Sequence, residues 1–559
     1  MEAKGHDAVG TQGSVRRYHV VGALGERYRG GMVHHLIVML ALPVGCRPAD
    51  EGARPHVVGE VEVLPADDDA PLARAVRFTS DAAAAVTWTL TTEGHRIEQR
   101  FPVGTDHEHV LLGLRPERTY QSTLQLEGDE GSRVVSGPDI TAGPLPSTFP
   151  QIEVLAWDPD EVEPGVTLIN LTVPLDGGEE VTHVVLLDEA LEPVWFLQSE
   201  ANIGYVRWDG GLWGLSEGHG VHWTPQGTMD RRLIRQGAPT EPTEVDVALE
   251  LDRSLHYDIL PTDDDSFFSL VYDSFEVDEY PLSAEEPEVM PNPQTLRDMV
   301  VVEVGFDGAL RNRWPMSERL DPGRISFSSH DPSRDGLDWA HSNAVAHDPD
   351  GGVLVSSRHQ DAVVSLDEEG DVRWILSNPD GWREPWASLR LQPVGDVQWP
   401  SHQHAPHVSD DGVLVMFDNG NHRSTPYAPE EELAPTTRIV GYRVDAEAFT
   451  VEQVFSFEET VNGPLYSNAL GDADPQPQTG NVLATYSMLD QDGDGRNIDA
   501  GRGRLTVRLI EFAPATLETV LDLRFATDGA QHPRGVRSFR ADRVPSDALP
   551  WKASGPMGR

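Results

Sequence analysis

An all-β chain, folded as a six-bladed β-propeller behind a small N-terminal β-sandwich, is what three features of the sequence predict. Histidines open three similar strand-turn-strand units, at His256 (HYDILPTDDDSFFSLVYD), His341 (HSNAVAHDPDGGVLVSSR) and His404 (HAPHVSDDGVLVMFDNG). An Asp recurs seven positions before a Trp in three other stretches: Asp188 and Trp195, Asp307 and Trp314, Asp367 and Trp374. Finally, 51 Gly and 43 Pro punctuate short apolar runs, a spacing that suits strands and turns rather than long helices.

In chain order, residues 1–53 read as a leader and linker. LIVMLALPVG ends at Cys46, the single cysteine, so an intramolecular disulfide is excluded. The run resembles a lipoprotein signal with Cys46 as the lipidated residue, although Pro43 departs from the pattern and the alternatives are an ordinary secretory signal or a buried strand. Met32 is a candidate start, because the basic stretch before it is long. Export to the periplasm or outer cell envelope is the expectation. No later run approaches the ~20 apolar residues of a membrane-spanning helix.

Residues 54–143 alternate apolar and polar positions in six short runs, as a β-sandwich does. Leu114 to Tyr120 (LRPERTY) resembles the tyrosine corner of fibronectin type III domains, and Trp88 fits the buried tryptophan of such a sandwich. Residues 144–150 form a Pro-rich linker, 151–545 the propeller and 546–559 a C-terminal tail.

The Asp…Trp stretches predict outer hairpins, each with an acidic turn and an inward Trp. Looser versions begin at His222, Ile439 and Leu505, giving six. Inner strand pairs of the histidine type lie between them, including one from Tyr466. Two hairpins per unit in six units describe the propeller. The acidic insertion from Ser274 to Pro293 is expected as a surface loop. In a propeller the first strand of each blade lines the central channel, so His256, His341 and His404 should face one mouth of it. Arg358 lies one hairpin beyond His341 and returns to the same end.

A net charge of −49 with only two lysines, Lys4 and Lys552, excludes nucleic acid as a partner, since phosphate binding needs a basic stripe. Three imidazoles and a guanidinium in so acidic a chain therefore mark a local anion pocket. Arginine offers a permanent fork of donors to sulfate or phosphate, and histidine can serve as nucleophile, acid or donor near neutrality.

DWAHSNAV with VLVSSRHQDAVVSLDEEGDVRWIL, QHAPH with VLVMFDNGNHR, and YSNALGDADPQPQTGNVLATYS together resemble the bacterial aryl-sulfate sulfotransferases over about residues 151–544. The resemblance implies an exported six-bladed propeller with a small N-terminal β-domain. It also implies transfer of a sulfuryl group between phenolic sulfate esters and phenols, through a sulfated histidine, without a nucleotide donor or any cofactor. Carried over by motif, His404 of the QH pair is the nucleophile. His256, His341 and Arg358 match the other catalytic positions, and Asn343, Asn419 and Tyr257 fall at substrate-binding ones. Which of His256 and His341 moves the proton stays open. His402 and His407 flank His404, so the alignment of QH decides among three imidazoles. Tyr257 stands where the family often has another polar residue, which bears on acceptor choice.

Other readings are an aryl-sulfate hydrolase and a non-catalytic binding module. Asp490, Asp492 and Asp494 begin like a calcium loop, but position twelve is Gly501 rather than Glu. A zinc centre of the three histidines is disfavoured by Arg358 beside them, and no metal is expected. The sulfatase motif fails at Asp50, no Gly-rich phosphate loop with its lysine is present, and a quinone-dependent dehydrogenase propeller lacks its vicinal disulfide. Oligomeric state is open, a homodimer included.

Overall fold

The computed structural model describes residues 54–554, apart from 68, 176, 239–242, 263, 284–285, 287, 291–292, 424–435, 460–463, 492–502, 530–531 and 533. Cys46, Met32, Asp492 and Asp494 lie outside the described residues. Among the described residues no helix is long and apolar enough to cross a membrane.

Six sheets carry the propeller, and three of them add a short parallel pairing to their antiparallel strands. Blades 2 to 5 open with inner strands Ile203–Trp208, Leu255–Pro261, Ser342–His347 and His404–Val408, and blade 6 with Asp472–Pro475. Within this series of five, each successive pair of inner strands is in contact around the channel. Blade 1 takes its inner strand, Ala541–Val544, from the far end of the chain, paired to Val166–Pro174. Blade 6 in turn takes its outer strand, Gln151–Trp157, from the near end, paired to Glu518–Ala526. The ring is thus closed twice. At the inner seam Gly165 has φ of 125°, and a Cβ there would stand 2.6 Å from the Val544 carbonyl, so only glycine fits. Arg543 of that closing strand forms an ion pair at 2.6 Å with buried Glu511 of blade 6.

The outer hairpins are where the Asp…Trp spacing predicts them. Asp188 lies between Glu180–Leu187 and Pro193–Ser199, Asp307 between Gln294–Gly305 and Leu310–Pro315, and Asp367 between Ala362–Leu366 and Val372–Ser377. The aspartate has a physical task there. Asp188 Oδ1 accepts the N–H of Ala190 and Glu192, and Asp367 Oδ1 those of Glu369 and Asp371, so one carboxylate closes the turn. The following Trp195, Trp314 and Trp374 are each about 5 % exposed or less and pack between blades. The acidic insertion is shorter than expected from the sequence: Ser274–Val277 continues its strand, paired as far as Val277 with Gln294. Alternation persists through those four residues, and that is what keeps them in the ladder.

Residues 57–141 supply six strands of one bent, seven-stranded sheet, whose long strands Arg74–Thr92 and His95–Leu111 shift register at their middle. Trp88 and Tyr120 are fully buried, and the Tyr120 hydroxyl accepts the Arg115 N–H at 2.9 Å, closing the corner five residues upstream. Lys552–Ser554, part of the stretch read as a tail, pairs as an edge strand with Arg96–Glu98, and Trp551 is buried beside it against Gly113. The sheet packs on blade 1 through a shared apolar core, reinforced where buried Arg115 reaches Asp188 at 2.6 Å.

Candidate active site

The three repeat histidines arrive at the channel by the same local device. His256 is the second residue of its inner strand, His341 immediately precedes its strand, and His404 begins its own. Each strand then breaks register: between His256 and Leu260, between Ser342 and Ala344, and between His404 and His407. At or beside each histidine one residue is left-handed, namely Tyr257 (φ 62°), His341 (φ 44°) and Ala405 (φ 45°). Such backbone costs of order 1–3 kcal/mol per residue and re-aims the neighbouring side chain. Three bulges at corresponding points explain why the three imidazoles gather around Tyr257.

His404 is the most constrained of them. Its ring nitrogen Nδ1 lies 2.6 Å from Asn419 Oδ1, while the Asn419 amide nitrogen donates to the carbonyls of Ser467 (2.8 Å) and Leu470 (2.9 Å). The amide is therefore oriented, its oxygen must accept, and Nδ1 of His404 must carry the proton. That leaves the Nε2 lone pair free on a ring that lines a cavity together with Tyr257, Asn343 and Arg540. Burial pulls the His404 pKa down to about 3, and the nearby Arg358 charge acts in the same direction. The imidazole is neutral at any ordinary pH.

His341 is held between two partners, its Nδ1 2.6 Å from Asp338 Oδ2 and its Nε2 2.6 Å from the Tyr257 hydroxyl. The carboxylate accepts from Nδ1, and Nε2 shares a hydrogen bond with the Tyr257 hydroxyl, an Asp–His–Tyr relay that ends beside the cavity. His256 stacks edge-on against Tyr257 at 3.9 Å and shares a short hydrogen bond with the Tyr272 hydroxyl. Burial, then the His341 charge, lowers its pKa to about 3. Burial also raises both tyrosines above their usual range, so they stay protonated.

Arg358 returns to this end of blade 4 as expected, its N–H on the His341 carbonyl at 3.1 Å. One guanidinium nitrogen lies 2.9 Å from His359 Nε2 and another donates to the Asn468 carbonyl at 3.2 Å. Asn343, 5 % exposed, donates its amide to the Gln403 carbonyl at 2.9 Å and leaves its oxygen without a partner on the cavity wall.

Sequence reasoning missed His359, Asp338 and Tyr272. His359 stacks on His341 at 4.5 Å, donates from Nδ1 to the Asp338 carbonyl at 2.6 Å, and so presents Nε2 as an acceptor to Arg358. Burial, then the His341 and Arg358 charges, keeps its pKa well down and the ring neutral. The SSRHQ stretch holds the signal, since His359 adjoins Arg358. Asp338 could have been found three residues before His341, whereas Tyr272 comes from across a hairpin and has no local mark. The two imidazoles flanking His404 separate cleanly from it. Both ring nitrogens of His402 are used, by Asp361 and Ser328 at 3.0 Å each, and His407 lies farther along the channel with Asp472 and Asp474. Ligand atoms of Asp338, His341 and His359 lie within 4.8 Å of one another, but the ring nitrogens already bond to protein, which fits a hydrogen-bonded site better than a metal centre.

Residues 247–533 match the family described as arylsulfotransferase (ASST). Two curated relatives named arylsulfate sulfotransferase AssT are similar in sequence. The one from Escherichia coli O6:H1 (strain CFT073) is 33% identical over 224 residues, 31% of this chain and 36% of its own. The one from Lelliottia amnigena is 27% identical over 223 residues, again 31% of this chain and 36% of the relative. The alignments thus span about a third of either relative's length. Among solved structures, virginiamycin B lyase from Staphylococcus aureus is 10% identical with a TM-score of 0.30, covering 67% of this chain and 98% of the lyase. The periplasmic gluconolactonase of Pseudomonas aeruginosa is 12% identical at a TM-score of 0.21, covering 83% and 97%. The blade count rests on the strand pairing itself.

Proposed function

Because this chain belongs to the arylsulfotransferase family, we propose that it moves a sulfuryl group from a phenolic sulfate ester to a phenol, in two steps through a sulfated His404. The observation that carries this reading is the fixed tautomer of His404, with a free Nε2 on the cavity and a pKa near 3.

In the first step the Nε2 lone pair attacks sulfur, the N–S bond forms, the S–O(aryl) bond breaks, and the electron pair leaves on the phenolate oxygen. The ring keeps its Nδ1 proton and becomes cationic, so the bond to Asn419 Oδ1 strengthens as charge develops. In this reading Arg358, whose charge acts on His404, takes the sulfuryl oxygens, its fork held by neutral His359 and the Asn468 carbonyl. The departing phenolate takes a proton from the Tyr257–His341–Asp338 relay, with Tyr257 the donor nearest the cavity. In the second step the acceptor's hydroxyl gives its proton to that relay and its oxygen attacks sulfur. The S–N bond breaks, and its electron pair returns to Nε2. The unpartnered Asn343 oxygen suits the hydroxyl of an incoming phenol. His256, engaged by Tyr272, supports the Tyr257 ring edge-on.

Export is part of the same proposal, supported by the apolar run ahead of Cys46. Cell fractionation, with Cys46→Ser to test lipidation, examines it. The activity is tested by incubating the protein with para-nitrophenyl sulfate, with and without phenol. Nitrophenol release that depends on phenol and is lost in His404→Ala is expected. Steady release without phenol would indicate a hydrolase, and no release a binding module.

A further inference from the structure

Beyond that reaction, we propose that the channel holds a divalent transition-metal site, suited to zinc, built by His407, Asp472 and Asp474. His407 lies on the inner strand of blade 5, and the two aspartates lie on the inner strand of blade 6, at alternate positions of one short strand. His407 Nε2 is 3.4 Å from Asp472 Oδ1 and 3.2 Å from Asp474 Oδ1, and the three ligand atoms lie within 4.8 Å of one another.

Those separations are informative. Ligands about 2.0–2.1 Å from zinc in a tetrahedron stand roughly 3.3–3.4 Å apart. The ring nitrogen stands at ion-pair distance from both carboxylates without a well-formed hydrogen bond to either. Asp472 supplies the independent sign. It is 1 % exposed, yet neither of its carboxylate oxygens accepts a hydrogen bond. A buried carboxylate is costly to leave unsatisfied. Arg540 does not meet that need. Its fork donates to Asp258 at 2.9 Å, and its Nε stays 3.8 Å from Asp472 Oδ2. The arginine then stands behind the ligand, as an outer partner of Asp472, while Oδ1 faces the ion.

One imidazole and two carboxylates select zinc or manganese over calcium and magnesium, which prefer oxygen alone. Three protein ligands leave a position for water, and side-chain exposures of 29% at His407 and 17% at Asp474 give the ion a path in. The role that follows from the placement is a cross-link. Leu470 and Gly471, just before Asp472, line the cavity of His404, and His404 itself is three residues before His407. An ion here would clasp the two inner strands that carry the candidate nucleophile and its far wall.

The test uses the whole chain, stripped with chelator, dialysed, and titrated separately with zinc, manganese and calcium salts. Metal content by mass spectrometry, calorimetric binding and the melting midpoint are read, none of which depends on sulfuryl transfer. One zinc per chain, with a raised midpoint, is expected in the unaltered protein and in His341→Ala. Asp472→Asn and His407→Ala should neither bind zinc nor respond to it. A folded, unaltered protein that binds none of the three ions and melts at the same temperature with and without them overturns the proposal, whether or not the variants fold. Loss of zinc in His341→Ala would overturn it as well, by moving the ion to the Asp338 cluster.

Discussion

Replacing Asn419 by Ala removes the group that fixes the His404 tautomer. In the structure the buried Asn419 oxygen accepts from Nδ1 at 2.6 Å, and nothing else is bonded to that nitrogen. Without it, the ring must either strand an N–H in a buried site or move its proton to Nε2 and lose the nucleophilic lone pair. Either course costs about 1–3 kcal/mol for an unmet buried donor, and at 1.36 kcal/mol per decade the first step slows roughly 5- to 150-fold. The carbonyls of Ser467 and Leu470 also lose donors, so the variant should melt at a lower temperature, and kinetics are compared only where circular dichroism shows it folded. The assay is rapid mixing with para-nitrophenyl sulfate and no acceptor. A slower nitrophenol burst of undiminished amplitude is expected, with partial recovery in Asn419→Asp, which keeps an acceptor for Nδ1. A folded Asn419→Ala protein with an unaltered burst rate refutes the assignment of the tautomer.

Further consequences follow from the same geometry. Tyr257→Phe severs the relay to His341 and should lower turnover by about 10²–10⁴-fold, most severely for sulfate esters of weakly acidic phenols, in steady-state assays. Arg358→Lys keeps the charge but loses the fork that His359 and Asn468 hold, and turnover should fall at least about tenfold while KM changes less. His256 and His404 are held near pKa 3 by burial, well below the ~6.5 of an unfolded histidine. Below pH ~6.5 the unfolded chain binds protons that the folded one refuses. Stability is therefore full above that pH and falls on acidification towards pH 3, by about 1.4 kcal/mol per pH unit for each ring. Urea midpoints at pH 7.5 and 5 should show the drop, and His404→Phe should lessen it. Arg115→Ala breaks a buried pair with Asp188 and should cost about 3–5 kcal/mol in denaturant titration, while leaving the activity of the folded fraction intact.

Much of the architecture is written in local chemistry. An aspartate closes its own turn and a tryptophan fills the next inter-blade gap, so Asp188 with Trp195 or Asp367 with Trp374 announces a hairpin without reference to anything distant. The two ring closures are not legible in that way, because Gln151–Trp157 and Ala541–Val544 join blades whose other strands lie hundreds of residues away. Their sequences look like any other strand. The edge strand at Lys552–Ser554 is too short for alternation to mark it. At the site, the repeat position brought His256, His341 and His404 into one neighbourhood, and Arg358 followed by hairpin arithmetic. The partners that decide chemistry were harder to see. That His402 and His407 are engaged elsewhere depends on Asp361, Asp472 and Asp474 in neighbouring segments. The neutral state of His404 depends on burial, which no spacing reports.

The central claim is a covalent one, and intact-mass spectrometry addresses it most directly. After brief exposure to para-nitrophenyl sulfate without phenol, the protein should gain the mass of a single SO3 group, mapped by fragmentation to His404 and discharged on adding phenol. An increment on another residue, or phenol-dependent transfer from a protein that never acquires one, would contradict the account.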